Sequence, residues 1–210
     1  THTYVGRFFD ASGEAFCSAT VITAYWALTA KHCVDTLPTA AIDPVTFTIT
    51  VRPSGWELYT VSPSGNAMFG VGVREAYYKI VGGDIALVSL THPFANDPER
   101  ADGEFGMPYH PPLPVGPPPA AIGNQLDGIF YGYGGQPDDA RAKVGGVRFI
   151  DTTFVRDMYN GPAIWAQAQD VDVSYGQSLV HYERGVPQWG DSGGPLVHDG
   201  RLVGITSAAN

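Results

Sequence analysis

The chain has 210 residues, 44% of them apolar and 12% aromatic, with a formal net charge of -9. This apolar content is enough for a folded core and excludes a chain that is disordered throughout. The acidic balance repels phosphate backbones and anionic lipid surfaces, so we expect neither nucleic acid nor a membrane among the partners.

Short β-like segments follow one another along the chain. The N-terminal THTYVGRFFD lacks the basic and apolar regions of a signal peptide, so we expect any targeting segment to have been removed. The 26 glycines and 17 prolines favour strands joined by turns over long helices, and they predict an all-β fold. In chain order the predicted strands lie in 4–9, 19–30, 45–51, 84–90, 128–134, 145–155, 178–183 and 200–207.

The proline-rich sequence HPPLPVGPPPA begins at residue 110. Prolines favour extended polyproline geometry and are excluded from central strands. We therefore predict a linker over 110–121 that joins an N-terminal β unit, 1–109, to a C-terminal β unit, 122–210. A ligand for proline-binding modules is the alternative, but an extended connector accounts for the prolines by itself.

The chain has two cysteines, Cys17 and Cys33. A metal site would need more nearby ligands than His32, so we predict a disulfide and no metal. Such a disulfide stabilises the fold by about 3 kcal/mol in the chain-entropy model. It also indicates an oxidising compartment, so we expect an extracellular protein.

The sequence QWGDSGGPL, residues 188–196, places a serine between glycines. A catalytic serine needs a base and a strained turn, which glycine permits. The pattern also fits the nucleophile elbow of α/β-hydrolases, whose acid and histidine follow the serine. After Ser192 only the neighbours His198 and Asp199 remain, so the partners of Ser192 must lie upstream.

Two upstream residues fit the roles of base and acid. His32, in TAKHC, follows an apolar segment, and imidazole has a pKa suited to a general base. Asp84 opens the apolar segment DIALVSL, where a carboxylate needs a partner for its charge. The alternatives are a structural histidine and a turn aspartate. The structural interpretation is the one we adopt for the other histidines, His2, His92, His110, His181 and His198.

Together these three motifs resemble those of the chymotrypsin-like (trypsin-fold) serine proteases. TAKHC is similar to the family's TAAHC with Lys31 as a departure, GGDIALVSL is similar to DIxLxxL, and GDSGGPLV matches the serine motif fully. The order His, Asp, Ser is the family's order. The resemblance covers about Phe16 to Ser207. It implies two antiparallel six-stranded β-barrels with the active site in the crevice between them.

The resemblance also implies a mechanism and partners. Ser192 attacks the scissile carbonyl, His32 takes its proton, and Asp84 orients His32. The N–H groups of Gly190 and Ser192 form the oxyanion hole. Ser207 resembles the family serine that binds the catalytic aspartate, with a plain strand-end serine as its alternative. We thus predict a secreted serine endopeptidase without a cofactor, acting on polypeptides and open to protein protease inhibitors.

The same resemblance places the substrate-binding pocket. Val186 stands where trypsin-like enzymes carry an aspartate, so a cationic side chain finds no counter-charge and we expect an uncharged or apolar P1 residue. Thr206 stands where glutamate-specific relatives carry a histidine. Trp189 either narrows the pocket mouth or packs on its rim. The full predicted set of substrate-binding residues is Val186, Pro187, Gln188, Trp189, Thr206, Ser207, Ala208 and Ala209.

Three features depart from the family pattern. The chain lacks the IVGG-like N-terminus whose amine pairs with the residue at Asp191, so Arg148 and Arg156 are the candidates for its partner. The family's last strand and helix are absent after Asn210, so we expect an incomplete second barrel and a natural chain that continues or has been cleaved. The segment 62–70 lacks the acidic residues of calcium-binding relatives, so we expect no calcium there. Alternative functions are therefore an inactive binding protein and an unactivated or truncated protease.

Overall fold

The computed structural model of this chain describes residues 4–61, 68–93, 113–116, 127–134, 143–156, 162–169, 172–175, 178–181 and 188–207. In these residues, the regular structure is β-strand apart from one 3₁₀ turn, Lys31–Cys33. The predicted all-β class is thereby confirmed. None of the described residues form a helix long and apolar enough to cross a membrane.

The first part of the chain forms an antiparallel sheet that closes on itself. A ring of six strands runs in the order β7-β6-β1-β2-β3-β8, and β8 pairs back with β7. The hairpin β4-β5 extends this sheet from β7. The strands are β1 Val5–Phe9, β2 Ala15–Thr23, β3 Trp26–Thr29, β4 Thr39–Asp43, β5 Thr48–Val51, β6 Glu57–Val61, β7 Met68–Lys79 and β8 Ala86–Leu90.

The later part of the chain forms a second antiparallel sheet. Five strands lie in the order β11-β10-β9-β14-β15, and β12 and β13 form a separate hairpin. The two sheets agree with the predicted trypsin-like fold, which is confirmed. The strands are β9 Asp127–Gly132, β10 Lys143–Arg156, β11 Pro162–Gln169, β12 Asp172–Tyr175, β13 Ser178–His181, β14 Pro195–His198 and β15 Arg201–Ile205.

The predicted strand over 19–30 is wrong in one respect, because it is two strands. β2 and β3 form a hairpin that turns at Ala24 and Tyr25, with Thr23 facing Trp26. The turn contains no Gly, Pro, Asn or Asp, and the Thr23 hydroxyl supports it by accepting the Tyr25 N–H at 3.3 Å. The turn was not predicted because the sequence around it is mostly apolar and lacks the usual turn residues.

Part of the proline-rich segment packs on the second sheet. Leu113 is buried, and Val115 forms a parallel bridge with Leu202. Backbone hydrogen bonds join Gly116 N–H to the Leu202 carbonyl at 2.9 Å and Leu202 N–H to the Pro114 carbonyl at 2.8 Å. Residues 113–116 therefore contact β15, while the rest of 110–121 lies outside the described residues. The division into 1–109 and 122–210 stays a prediction.

Two clusters of buried apolar side chains stabilise the molecule. The larger one comes wholly from the first sheet and its connections, with Phe8 and Leu58 among its fully buried members. The smaller one joins the two sheets, because it contains Val5 of β1 together with Tyr131 of β9 and Leu202 of β15. The second cluster therefore packs the two sheets against each other.

Candidate active site

The first barrel places His32 and Asp84 in direct contact. His32 lies in the 3₁₀ turn after β3, and Asp84 lies in the connection before β8, the strand that pairs with β3. The Asp84 carboxylate accepts the His32 backbone N–H at 2.9 Å through Oδ1 and lies 2.7 Å from His32 Nδ1 through Oδ2. An ionised carboxylate only accepts hydrogen bonds, so Nδ1 carries the proton and Nε2 of the neutral ring is left as an acceptor.

The contact changes the pKa of both side chains. The Asp84 side chain is almost fully buried, whereas that of His32 is 30% exposed. The hydrogen bond that His32 donates to Asp84 raises the pKa of His32, against the opposing effect of burial. Burial alone raises the pKa of Asp84, but the hydrogen bonds from His32 and Ser207 outweigh it and lower that pKa. Asp84 therefore stays ionised beside an imidazole that binds a proton more readily than usual.

Ser207 connects this pair to Ser192. The Ser207 hydroxyl donates to Asp84 Oδ2 at 2.5 Å, and the Ser192 hydroxyl donates to the Ser207 carbonyl at 3.1 Å. Among the described residues, no hydrogen bond joins Ser192 Oγ to His32. The serine hydroxyl thus lies beside the His32–Asp84 pair but points at a backbone carbonyl.

The turn that carries Ser192 is attached to the first barrel through its carbonyl groups. Ser18 of β2 donates its backbone N–H to the Ser192 carbonyl at 2.8 Å and its hydroxyl to the Gly190 carbonyl at 2.7 Å. Thr20 of the same strand donates its hydroxyl to the Gly193 carbonyl at 3.1 Å. The position of Ser192 relative to His32 therefore depends on β2 as well as on the second sheet.

The N–H groups of Gly190 and Ser192 remain without a partner among the residues that the structure describes, although the N–H groups around them are paired. Asp191 N–H donates to the Gln188 carbonyl, and Gly194 N–H donates to the Asp191 carbonyl, each at 3.0 Å. Because a peptide group is planar and trans, the Asp191 carbonyl and the Ser192 N–H point in opposite directions. Gly190 has φ +95°, which favours glycine. The turn therefore leaves two N–H groups, those of Gly190 and Ser192, that can donate to a bound acceptor.

The Asp191 carboxylate lies in the interior and is 0% exposed. Its oxygens accept the Gly134 N–H at 2.7 Å and the Gln188 N–H at 2.6 Å. A methyl group on Gly132 or Gly134 would overlap this carboxylate, so both positions require glycine. Backbone donors are therefore among its partners. The side chains of Arg148 and Arg156 lie outside what the structure describes, so an arginine partner stays a prediction.

The predicted disulfide is present between Cys17 and Cys33. It joins β2, one residue before Ser18, to the 3₁₀ turn, one residue after His32. The two sulfurs are bonded to each other, so the cluster of Cys17, His32 and Cys33 does not offer thiolate ligands to a metal. The disulfide thus links the strand that holds the serine turn to the turn that carries the histidine.

The predicted pocket residues are described only in part. Trp189 is 88% exposed, and its place at the mouth or on the rim of the pocket stays a prediction. Thr206 exchanges backbone hydrogen bonds with the serine turn, accepting from Gly193 N–H and donating to the Gly194 carbonyl, both at 2.8 Å. Gln188 is exposed beside Trp189. Val186, Pro187, Ala208 and Ala209 lie outside the described residues.

Sequence reasoning missed the residues of the first barrel that support the serine turn. Ser18 and Thr20 are fully buried on β2, and Thr29 of β3 donates its hydroxyl to the Ser18 carbonyl at 2.9 Å. The available signal was the alternation of Ser18 and Thr20 in an otherwise apolar strand. Buried hydroxyl groups need partners, and here those partners are more than 170 residues away for Ser18 and Thr20.

Several solved structures share this fold. The chain is similar to neuropsin, a serine protease expressed in the limbic system of mouse brain, with 18% identity and a TM-score of 0.58, covering 99% of this chain and 82% of that chain. It is also similar to the scabies mite inactivated protease paralogue S-D1, with 14% identity, TM-score 0.63 and coverages of 99% and 81%. A second scabies mite inactivated paralogue, S-I1, has 18% identity, TM-score 0.61 and coverages of 99% and 83%. These likenesses show the fold.

Sequence comparison identifies the family. No curated protein matches this chain. The family model described as Trypsin matches residues 2–128, more than half of the chain and the part that contains His32 and Asp84. By this match, and with the two β-sheets described above, the chain belongs to the trypsin family.

Proposed function

We propose that this chain is a secreted serine endopeptidase that hydrolyses polypeptides through Ser192, His32 and Asp84. The observation that carries the proposal is the convergence of these residues: His32 Nδ1 lies 2.7 Å from Asp84, and Ser207 binds Asp84 through its hydroxyl and Ser192 through its carbonyl. The N–H groups of Gly190 and Ser192, in the same turn, have no partner in the described part of the chain. Nucleophile, base, orienting acid and donors for an oxyanion are the parts that acyl transfer needs.

The reaction starts when the Ser192 hydroxyl turns from the Ser207 carbonyl towards His32 Nε2. Rotation between staggered side-chain conformers is fast, and hydrogen bonds of catalytic groups commonly tighten only when substrate binds. As the Ser192 Oγ–carbon bond forms, the hydroxyl proton passes to Nε2, and Asp84 stabilises the resulting imidazolium. The N–H groups of Gly190 and Ser192 bind the oxyanion.

The intermediate then collapses to an acyl-enzyme. The carbon–nitrogen bond breaks, and the leaving amine takes the proton from His32 Nε2. Water attacks the ester in the second half of the reaction, giving its proton to the same nitrogen, and Ser192 recovers its proton as the acid product leaves. This mechanism uses no cofactor.

The finer parts of the proposal concern specificity and location. Val186, at the base of the pocket in the family resemblance, carries no charge, so we propose an uncharged or apolar P1 residue and test it by profiling a peptide library. Pro187, Gln188, Trp189 and the residues 206–209 complete the proposed substrate-binding set, and protein protease inhibitors are proposed partners. Secretion is supported by the disulfide, because oxidising compartments preserve such bonds.

The decisive experiment is covalent labelling with a fluorophosphonate probe, read by intact mass. We expect one adduct on the parent chain and none on Ser192→Ala, because only an activated serine attacks the phosphorus. The exposed Ser54→Ala variant is the matched control and keeps the adduct. A folded parent without an adduct contradicts the proposal and favours an inactive binding protein or an unactivated protease. An adduct that persists on Ser192→Ala would assign the nucleophile to another residue.

A further inference from the structure

Lys31 is a buried cation beside the candidate active site. It is 6% exposed and immediately precedes His32 in the 3₁₀ turn. An ammonium group has three donors and no acceptor, so burial requires acceptors around it. The family motif TAAHC has alanine at this position, so the trypsin-like arrangement does not itself require a lysine here.

The Lys31 side chain crosses to the segment that leads to Asp84. Its Nζ donates to the Ile80 carbonyl at 3.3 Å and lies 5.3 Å from the centre of the Tyr78 ring. Tyr78 is in β7, and Ile80 is the first residue after that strand ends at Lys79. Lys31 thus contacts the chain where it leaves β7, four residues before Asp84.

The backbone between Ile80 and Asp84 contains Gly82 at φ +143° and Gly83 at φ +100°. Glycine adopts many conformations, so this connection does not by itself determine the direction of the Asp84 side chain. The N–H of Ile80 donates to the Phe47 carbonyl at 3.0 Å, and its carbonyl accepts from Lys31. Both backbone groups at the start of the glycine connection are therefore held.

We propose that Lys31 is a positioning residue that holds the start of the 80–84 connection against the His32 turn and so keeps Asp84 in line with His32 Nδ1. Contacts between these segments include that of Asp84 with His32 at one end and that of Lys31 with Ile80 at the other. The catalytic consequence rests on the proposed protease function, whereas the effect on the His32–Asp84 hydrogen bond does not.

The test compares Lys31→Met, which keeps the length of the side chain and removes the ammonium, with Lys79→Met as the matched control. Lys79 is exposed at the end of β7, and its Nζ also donates to a backbone carbonyl, that of Thr46, at 2.6 Å. The first readout is the low-field NMR resonance of the His32 Nδ1 proton, together with the pH titration of the His32 ring. The second is the rate constant of fluorophosphonate labelling.

For Lys31→Met we expect a broadened or lost Nδ1 proton resonance, a His32 pKa closer to its ordinary value, and labelling about 10-fold to 100-fold slower, since small misplacements of catalytic groups cost this much. Lys31→Arg retains a donor and is expected to restore most of each signal. Lys79→Met is expected to match the parent. If Lys31→Met also matches the parent in resonance, titration and labelling rate, the proposal is wrong.

Two further outcomes are distinguishable. If Lys31→Met does not fold, Lys31→Ala, which has the residue of the family motif, is measured in the same way, and parent-like NMR signals in that variant overturn the proposal. If the folded parent is not labelled at all, the proposed protease function fails. The NMR comparison of Lys31→Met with Lys79→Met then decides the positioning role by itself.

Discussion

The two sides of the candidate active site, the His32–Asp84 pair and the Ser192 turn, are held in different ways. His32 and Asp84 are joined by side-chain contacts within one closed barrel, between segments next to paired strands β3 and β8. The Ser192 turn is held through its backbone, with its carbonyls bound by Ser18 and Thr20 of the first barrel. The first side depends on the hydrogen bonds of one carboxylate, that of Asp84, whereas the second also depends on close packing around glycines such as Gly134.

This difference leads to different sensitivities to mutation. On the His32 side, removing one carboxylate oxygen takes away a specific hydrogen bond without disturbing the packing. On the Ser192 side, adding one carbon atom to a neighbouring glycine forces the turn to move. A substitution that changes the chemistry of a side chain but not its size therefore tests the His32 side. A substitution that adds size without changing the chemistry tests the Ser192 side.

The largest expected effect is that of Asp84→Asn on the first side. An amide NH2 group that faces His32 Nδ1 donates to it and favours the wrong ring tautomer, so we expect hydrolysis of an ester substrate to fall by about 10⁴-fold in kcat, as for this change in a serine protease triad. Asp43→Asn, at the exposed end of β4, is the control and should leave kcat unchanged. A loss below tenfold would show that Asp84 does not orient His32.

The next effect tests the disulfide between β2, which supports the Ser192 turn, and the turn that carries His32. The double variant Cys17→Ala/Cys33→Ala opens a disulfide whose cysteines are 16 positions apart, and we expect the free energy of unfolding to fall by about 3 kcal/mol. Urea denaturation measures this change, and the parent in reductant should lose a similar amount. Unchanged stability in both cases would contradict a stabilising role for the disulfide.

On the serine side, Gly134→Ala places a methyl group against the Asp191 carboxylate and the Trp189 carbonyl, both 2.7 Å from the added carbon. Overpacking of this kind destabilises by about 2 kcal/mol, and here it also displaces the Ser192 turn. We expect slower fluorophosphonate labelling alongside the lower stability measured by urea denaturation.

Gly13→Ala is the control for this prediction, because its added carbon meets no atom within 4 Å. Its φ of +81° still strains an alanine, so some loss of stability is expected, but the labelling rate of the folded protein should stay at the parent value. Equal labelling rates in the two glycine variants would contradict the view that packing around Asp191 positions the serine.

The smallest expected effect is a displaced pH midpoint. Because the Asp84 hydrogen bond raises the pKa of His32, kcat/KM should rise with pH through a midpoint above about 6.5. Asp84→Asn removes the cause, so its midpoint should lie lower. A parent midpoint below that of the variant would contradict the assigned role of Asp84.

The same pKa shifts predict the direction of stability changes. The raised pKa of His32 contributes stability that is present below about pH 6.5 and is lost as the pH rises through the folded-state pKa. The lowered pKa of Asp84 contributes stability that is present above about pH 3.9 and is lost as the pH falls through its folded-state value. The pair therefore stabilises the fold most between about pH 4 and 6.5.

Much of the first side was predictable, because its residues lie in short recognisable motifs. His32 follows an apolar strand and Asp84 opens another, and these strands pair as β3 and β8. The disulfide beside His32 was predicted from its apolar setting and from the lack of other ligands, and it is present. By contrast, the turn at Ala24 and Tyr25 was not predicted, because it lacks the residues that are typical of turns.

The sequence by itself determined the family, the all-β class and the residue types of the candidate site, because local motifs depend on neighbours along the chain. Tertiary structure decided that Ser18 holds the Ser192 turn, that Ser192 Oγ points at Ser207, and that Lys31 reaches Ile80. These contacts join residues 15 to 172 positions apart, and their geometry depends on how strands and turns pack in three dimensions. Local patterns carry no information about such distances and directions.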